Sequence, residues 1–467
     1  MDDGIPLNDR LSDSAGEAPS RLALLMRAFR HRNYRLFFSG QIVSLLGTFL
    51  TQLAISWLIY HLTGSAQILG VLAFASQIPM FLLAPFAGVW VDRWNRRRLL
   101  VVTQTLSMLE SFALAAFAFA ASHGHNYGIV AGIIGLSAFQ GLINAFDMPG
   151  RQAFLVEMVT RREDLGNAIA LNSTMVHGAR LIGPAIAGFL IHWVGASLCF
   201  FLDGFSYIAV IAALLAMRVA PQPRREDVRS VLHDLYEGLK YIWHFRPIRA
   251  LLAVMALLSL TGMPAFTVLM PVYGTHFGGE EHSAETLGFL MGASGLGALV
   301  GAIYLGSRPT VVGLGRLIAL AMGLYGIAII GFSFSSRLWL SLLIATIAGL
   351  GMLISFASAN TLIQTLTEDR MRGRVMSLFS MAFVGMLPWG GLLAGEAAHH
   401  FGSGILGASR TLLVAGILVL LTAASFSAKL PELRRIIRPI YIERGILPPE
   451  VAAGMQAATE VVTGPEH

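Results

Sequence analysis

The sequence predicts an all-α membrane protein in which twelve transmembrane helices form two pseudo-symmetric bundles of six, and three observations carry that reading. Of 467 residues, 55% are hydrophobic and 13% charged, with mean hydropathy +0.66, too little charge to cover the surface of a soluble chain this long. The apolar residues come in runs long enough to cross a ~30 Å hydrocarbon layer as helices, not in the two-residue alternation of barrel strands. The basic residues gather in alternate connections, as membrane topology requires.

In chain order the apolar runs are roughly 35–61, 67–91, 98–121, 126–149, 165–194, 197–218, 248–274, 284–306, 313–335, 338–366, 372–398 and 408–429. Residues 1–30 begin acidic and polar, lack the apolar core and cleavage site of a signal peptide, and are expected to be a disordered tail. Alternate connections hold Arg93, Arg96, Arg97, Arg98, Arg151, Arg161, Arg162, Arg308, Arg316, Arg370, Arg372 and Arg374, whereas the opposite ones hold essentially Arg337 and Arg410. The positive-inside rule then puts both termini in the cytoplasm and the protein, multi-pass, in the plasma (inner) membrane.

The longest connection, 219–247, separates a first bundle at 31–218 from a second at 248–429, and a cytoplasmic tail follows at 430–467. Within that linker Val228, Val231, Leu232, Leu235, Leu239, Ile242 and Trp243 recur at helical spacing opposite Asp227, Asp234, Glu237 and Lys240, predicting an amphipathic helix along the inner membrane face.

The bundles repeat each other. Leu69-Gly70 returns as Leu287-Gly288, and Gly183, Gly188, His192 and Gly195 fall on Gly390, Gly395, His399 and Gly402. Six spans is an even number, so both copies enter from one side, as parallel repeats about an axis along the membrane normal. Gly88 and Arg98 have counterparts in Gly306 and Arg316, but Asp92 has none.

The turn after the second span reads Gly88-x-x-x-Asp92-Arg93-x-x-Arg96-Arg97-Arg98. With twelve spans and parallel repeats, it makes residues ~30–430 resemble the major facilitator superfamily of secondary transporters. The drug-exporter branch with the enterobactin exporter and macrolide efflux proteins is nearest, through Phe29 to Arg35, Ser44 to Gly47, Gly141 to Arg151, Phe201-Leu-Asp203 and Arg372 to Ser377. The resemblance implies that this turn braces the cytoplasmic gate, with Asp92 facing the start of span eleven near Gly373 to Met376 and the arginines binding acidic groups or lipid phosphates.

Span five carries Arg180, Gly183, Pro184 and Gly188, similar to the exporters' Gly-Pro motif, where a bend and a bare helix face let the span meet the opposite half. Leu387-Pro388-Trp389-Gly390-Gly391 on span eleven is its counterpart. One departure concerns coupling: Gln140-Gly141 is present on span four, but Ser137 stands where proton-coupled exporters often have arginine. Glu110, with Arg180 as a possible partner, and Asp203 are therefore the candidates for proton coupling, with structural pairing as the competing role.

The resemblance also implies that spans one, four, seven and ten line a central cavity. Thr48, Gln52, Gln140, Asn144, Thr261, Ser355 and Asn360 would be its polar groups and Phe139, Met263, Phe266 and Phe356 its apolar ones, a lining suited to an amphipathic small molecule. Asp147 and Arg151 are expected to make a structural contact. His61, His123, His125, His192, His276, His282, His399 and His400 sit near outer span ends, where their spacing fixes no metal geometry, so they are expected to be solvated.

Cys199 alone allows no intramolecular disulfide. No phosphate-binding loop, nucleophile elbow or zinc motif occurs, so neither catalysis, nor a cofactor, nor a metal is expected. The expectation is a monomeric exporter of a drug- or siderophore-like molecule, exchanging it for protons, with the lipid bilayer and no nucleic acid as its surroundings. A lipid or lysophospholipid flippase and a non-transporting receptor or assembly factor are the other readings of the same fold.

Overall fold

The computed structural model describes residues 26–124, 127–159, 161–218 and 231–446, so most of both tails and the first part of the linker lie outside it. The described residues are helical, with no strand among them. α1 (Arg32–Thr63) stops at Gly64, whose φ of 59° is left-handed, and the Ser65 hydroxyl then caps α2 (Ala66–Arg93). Asn95 caps α3 (Arg96–His123), its side chain accepting from the Arg98 amide at 3.0 Å, and α4 (Tyr127–Met158) follows. α5 (Arg162–Ala216) has 55 residues, about twice what a bilayer needs, and Gly195, at φ 78°, turns it back into a second crossing.

α6 (Val231–His244) belongs to the linker. The second half then comprises α7 (Arg246–Gly278), α8 (Ser283–Gly306), α9 (Leu314–Ser333), α10 (Leu338–Leu366), α11 (Arg372–Val384), α12 (Leu387–Phe401) and α13 (Gly404–Glu443). Eleven runs are long and apolar enough to cross a membrane, and the doubled α5 brings the crossings to twelve.

Two boundaries differ from the sequence reading. The run expected at 372–398 is broken between α11 and α12, because Pro388 in the first turn of α12 has no amide to donate to the Val384 carbonyl, and the neighbouring Phe383 carbonyl accepts from the Ser259 hydroxyl. The last helix continues past 429 to Glu443. Its charges end the apolar run but not the helical spacing: Leu430, Leu433 and Tyr441 are buried, and Arg444 donates to the Thr365 and Thr367 carbonyls at 2.5 and 3.0 Å.

The halves have unlike interiors. In the second, Phe266, Tyr273, Tyr325 and Phe332 pack edge-on or tilted with ring centroids 4.7–6.5 Å apart. In the first lie all the buried acidic residues among those described, Glu110, Asp147, Asp164 and Asp203. The halves meet along α5 with α8 and α2 with α12, the two pairings the internal repeat makes equivalent.

Candidate functional site: the seams, the polar wall and the charged turn

Both seams are tightest at the end of the molecule away from the termini. A Cβ on Gly188 would lie 2.6 Å from the Ala284 carbonyl oxygen, and one on Gly288 would lie 2.5 Å from that of Pro184. Across the other seam, a Cβ on Gly70 would be 2.8 Å from the Gly391 oxygen, and one on Gly395 would be 2.7 Å from that of Ala66. The four glycines the repeat singles out thus form two equivalent backbone-to-backbone contacts, an approach any side chain would prevent.

Side chains close the same end. Trp57 Nε1 donates to Ser283 Oγ at 2.9 Å, Gln67 Nε2 donates to Glu396 Oε2 at 2.9 Å, and Phe189 meets Phe289 edge-on with centroids 5.3 Å apart. His192 Nδ1 also donates across the seam to the Glu281 carbonyl oxygen at 2.9 Å, so these hydrogen bonds between the halves share the distal end.

Asp203 is 1% exposed and accepts from Thr51 Oγ1 at 2.8 Å, Ser111 Oγ at 2.9 Å and Ser206 Oγ at 3.3 Å. It ties α1 and α3 to the second crossing of α5 through hydroxyls. Asp147 accepts from Thr103 at 2.7 Å, Gln104 at 2.8 Å and Arg151 Nε at 2.5 Å, locking α3 to α4. Glu110 differs from both: it is 3% exposed and its Oε1 has no hydrogen-bond partner. The pairing of Glu110 with Arg180 is not formed; the Arg180 guanidinium lies over the Phe49 ring, 6.0 Å from its centroid. Ser137 is buried and its hydroxyl is turned onto the Ile133 carbonyl at 2.9 Å.

The candidate cavity residues divide. Thr48 and Gln52 are exposed on α1, and Gln140, Asn144, Thr261 and Asn360 are half-buried. Gln140 Nε2 reaches Ser107 Oγ and Asn144 Oδ1, both at 3.2 Å, which links it to α3. Ser355 is fully buried and donates to the Gly351 carbonyl, and Phe266 belongs to the aromatic cluster; both face packing, because that face of the helix is already covered by α9. Gly183 and Pro184 are buried, Gly183 against Phe49 of α1.

The turn after α2 braces the first half. Arg96 pairs with Glu157 at the end of α4, while Arg97 donates to the Leu214 and Leu215 carbonyls at 2.7 and 2.6 Å, closing the C-terminus of α5. Arg93 and Arg98 are exposed. Gly88 and Asp92 are within α2, but the side chain of Asp92 lies outside the described residues, so its expected contact with α11 has no geometry here. At the start of α11, Arg374 pairs with Glu237 of α6.

Glu157 and the α5 carbonyls are partners of the charged turn that sequence reasoning missed. Glu157 lay past the expected end of span four, and backbone acceptors leave no trace in composition.

The sequence profile of the transmembrane secretion effector family, a branch of the major facilitator superfamily, matches residues 25–441. The chain belongs to that family. The transporter is 26% identical to the staphyloferrin A transporter of Staphylococcus aureus, over 78% of its own length and 89% of that protein's. It is 27% identical to the multidrug efflux pump Tap of Mycolicibacterium fortuitum over 84% and 95%, and 25% identical to the enterobactin exporter EntS of Shigella boydii over 87% and 93%. The solved structure of the nucleoside transporter NupG shares its fold at 13% identity, with a TM-score of 0.67 over 84% of this chain and 99% of that one. Family membership makes this a multi-pass membrane transporter and not an enzyme.

Proposed function

We propose that the transporter exports an amphipathic drug- or siderophore-like molecule by alternating access, driven by proton entry, from the plasma (inner) membrane and with both termini in the cytoplasm. The observation that carries the reading is the closure of the distal end. Both glycine seams, the Trp57–Ser283 and Gln67–Glu396 hydrogen bonds and the His192–Glu285 pair lie at the end opposite the termini. With the basic connections on the terminal side taken as cytoplasmic, this is the inward-facing member of a two-state cycle. The substrate class rests on the relatives, a siderophore transporter, a siderophore exporter and a drug pump, and on a candidate lining of few charges.

In this reading Asp203 and Asp147 are structural, since every described partner they have is a fixed donor within the first half. Glu110 is the proton carrier: its Oε1 makes no fixed bond, and a buried oxygen without one needs another reason for its place. Asp92 and the arginines near it hold the cytoplasmic gate when the distal seams open, and Gly183 and Pro184 supply the bend on which α5 rocks.

The test is substrate accumulation in inverted vesicles under an imposed pH gradient, comparing wild type with Asp92→Asn and Glu110→Gln at equal expression. Both variants are expected to lose at least tenfold in initial rate. Accumulation that survives collapse of the gradient sinks the coupling, and an unimpaired Asp92→Asn sinks the gate.

A further inference from the structure

At the distal mouth of the α5–α8 seam, His192 of the first half faces His282 and Glu285 of the second. The nearest ligand atoms of these three side chains all lie within 4.8 Å of one another. His282 Nδ1 is 3.1 Å from Glu285 Oε2, His192 Nε2 is 3.9 Å from Glu285 Oε1, and the two imidazoles stack with centroids 5.1 Å apart. His192 Nδ1 lies 2.9 Å from the Glu281 carbonyl oxygen, which can only accept, so Nδ1 carries the proton and donates it. That leaves the Nε2 lone pair aimed at the cluster. An imidazole whose second nitrogen is held by a backbone carbonyl is how proteins orient a metal-binding histidine.

We propose that His192, His282 and Glu285 form a binding site for a divalent transition cation of the nitrogen-preferring class, Zn²⁺ or Cu²⁺, and that the bound ion clamps the distal seam shut. Two imidazoles and one carboxylate are a donor set that suits Zn²⁺ and leaves a fourth position for water or another ligand. Zn–N and Zn–O bonds of about 2.0–2.2 Å put tetrahedral ligand atoms roughly 3.4 Å apart. The longest present separation must therefore close by about 1.4 Å, which rotation of the half-exposed His282 side chain supplies. The exposed carboxylates Glu280 and Glu281 at the same mouth raise the local cation concentration.

The position gives the site its consequence. One ligand comes from α5 and two come from the start of α8, His282 at its N-cap and Glu285 in its first turn, directly above the Gly188–Gly288 contact, so the full set exists only while the seam is closed. An ion that binds the closed form alone shifts the population toward it. The equivalent position on the other seam has Gln67 where this one has Glu285, and Gln67 is already bonded to Glu396. The binding claim stands apart from the proposed substrate and coupling, whereas the clamp rests on the rocking motion.

The test titrates purified, tag-free protein in detergent with Co²⁺, followed by visible absorption and displaced by Zn²⁺, with Mg²⁺ as the control. Wild type is expected to give a tetrahedral Co²⁺ band. His192→Gln, His282→Gln and Glu285→Gln should each weaken it at least about tenfold, and His400→Gln should leave it unchanged. Size exclusion confirms that each variant is folded, and His282, half-exposed, is the safest of the three. No band in wild type, or an equal band in all three site variants, overturns the site. For the clamp, spin labels at Tyr127→Cys and Phe334→Cys in a Cys199→Ala background report the distal separation. Zn²⁺ is expected to collapse the distance distribution onto its shortest component in the wild-type site and not in His192→Gln; an unchanged distribution overturns the clamp.

Discussion

At the residue scale, the first half concentrates the ionisable chemistry and sorts it by whether each carboxyl has partners. Asp203 has three hydroxyl donors and a glycine pressed against it: a Cβ at Gly47 would lie 2.2 Å from its Oδ1. Gly47→Ala is therefore expected to displace the carboxylate and cost about 1–3 kcal/mol through overpacking. Its lowered melting temperature should appear by fluorescence-detected size exclusion, with no change in the transport pH profile of the protein that remains folded. Glu110→Gln should do the reverse, keeping the melting temperature within a few degrees while removing the dependence of transport on the imposed gradient. An isosteric amide keeps the shape of a carboxyl whose Oε1 makes no hydrogen bond, so it disturbs the packing little.

At the element scale, the seams depend on helix faces without side chains. Gly288→Val would push a branched side chain into the Pro184 carbonyl and the Gly188 backbone. The distal end can then no longer close, and cysteines introduced on the distal face should become accessible to a membrane-impermeant maleimide; accessibility equal to wild type would contradict the seam as the outer gate. Gly195 has another task. Its φ of 78° turns α5 between two crossings, so Gly195→Ala should cost about 1–2 kcal/mol of left-handed strain, read as a lower melting temperature with transport per folded molecule preserved. α6 buries Gly238 and Ile242 and leaves Tyr236, Leu239 and Trp243 exposed, with Glu237 pairing to Arg374 at the start of α11. That pair joins the linker to the second half, so in the proposed cycle α6 is expected to move with that half.

At the scale of the whole molecule, the proposed cycle makes this distal-closed structure one member of a pair of states. The other member must part Trp57 from Ser283, Gln67 from Glu396 and His192 from the Glu281 carbonyl together, because all three bonds span the same rigid halves. Replacing Trp57 and Ser283 with cysteines and oxidising them should trap the distal-closed form and stop turnover until a reductant is added. Transport that continues in the cross-linked protein would rule out rocking about these seams.

The sequence by itself determined the membrane class, the number of crossings, the parallel repeat and the family, because hydropathy, loop charge and recurring Gly-Gly offsets are local properties that survive without coordinates. It also marked Asp147 as a structural contact, left Asp203 between proton coupling and structural pairing, and related Gly70 to Gly288 and Gly188 to Gly395. Only the tertiary structure decided that those four glycines touch in pairs across the halves, and that Glu110 lies apart from Arg180. It also gave the turn's arginines α4 and α5 as partners, and brought His192 to His282 and Glu285 across some ninety positions of chain. The physical reason is the same in each case. Spacing along one helix fixes which residues share a face, but the partner of that face is chosen by how two bundles dock, and no short-range pattern in either bundle encodes the other.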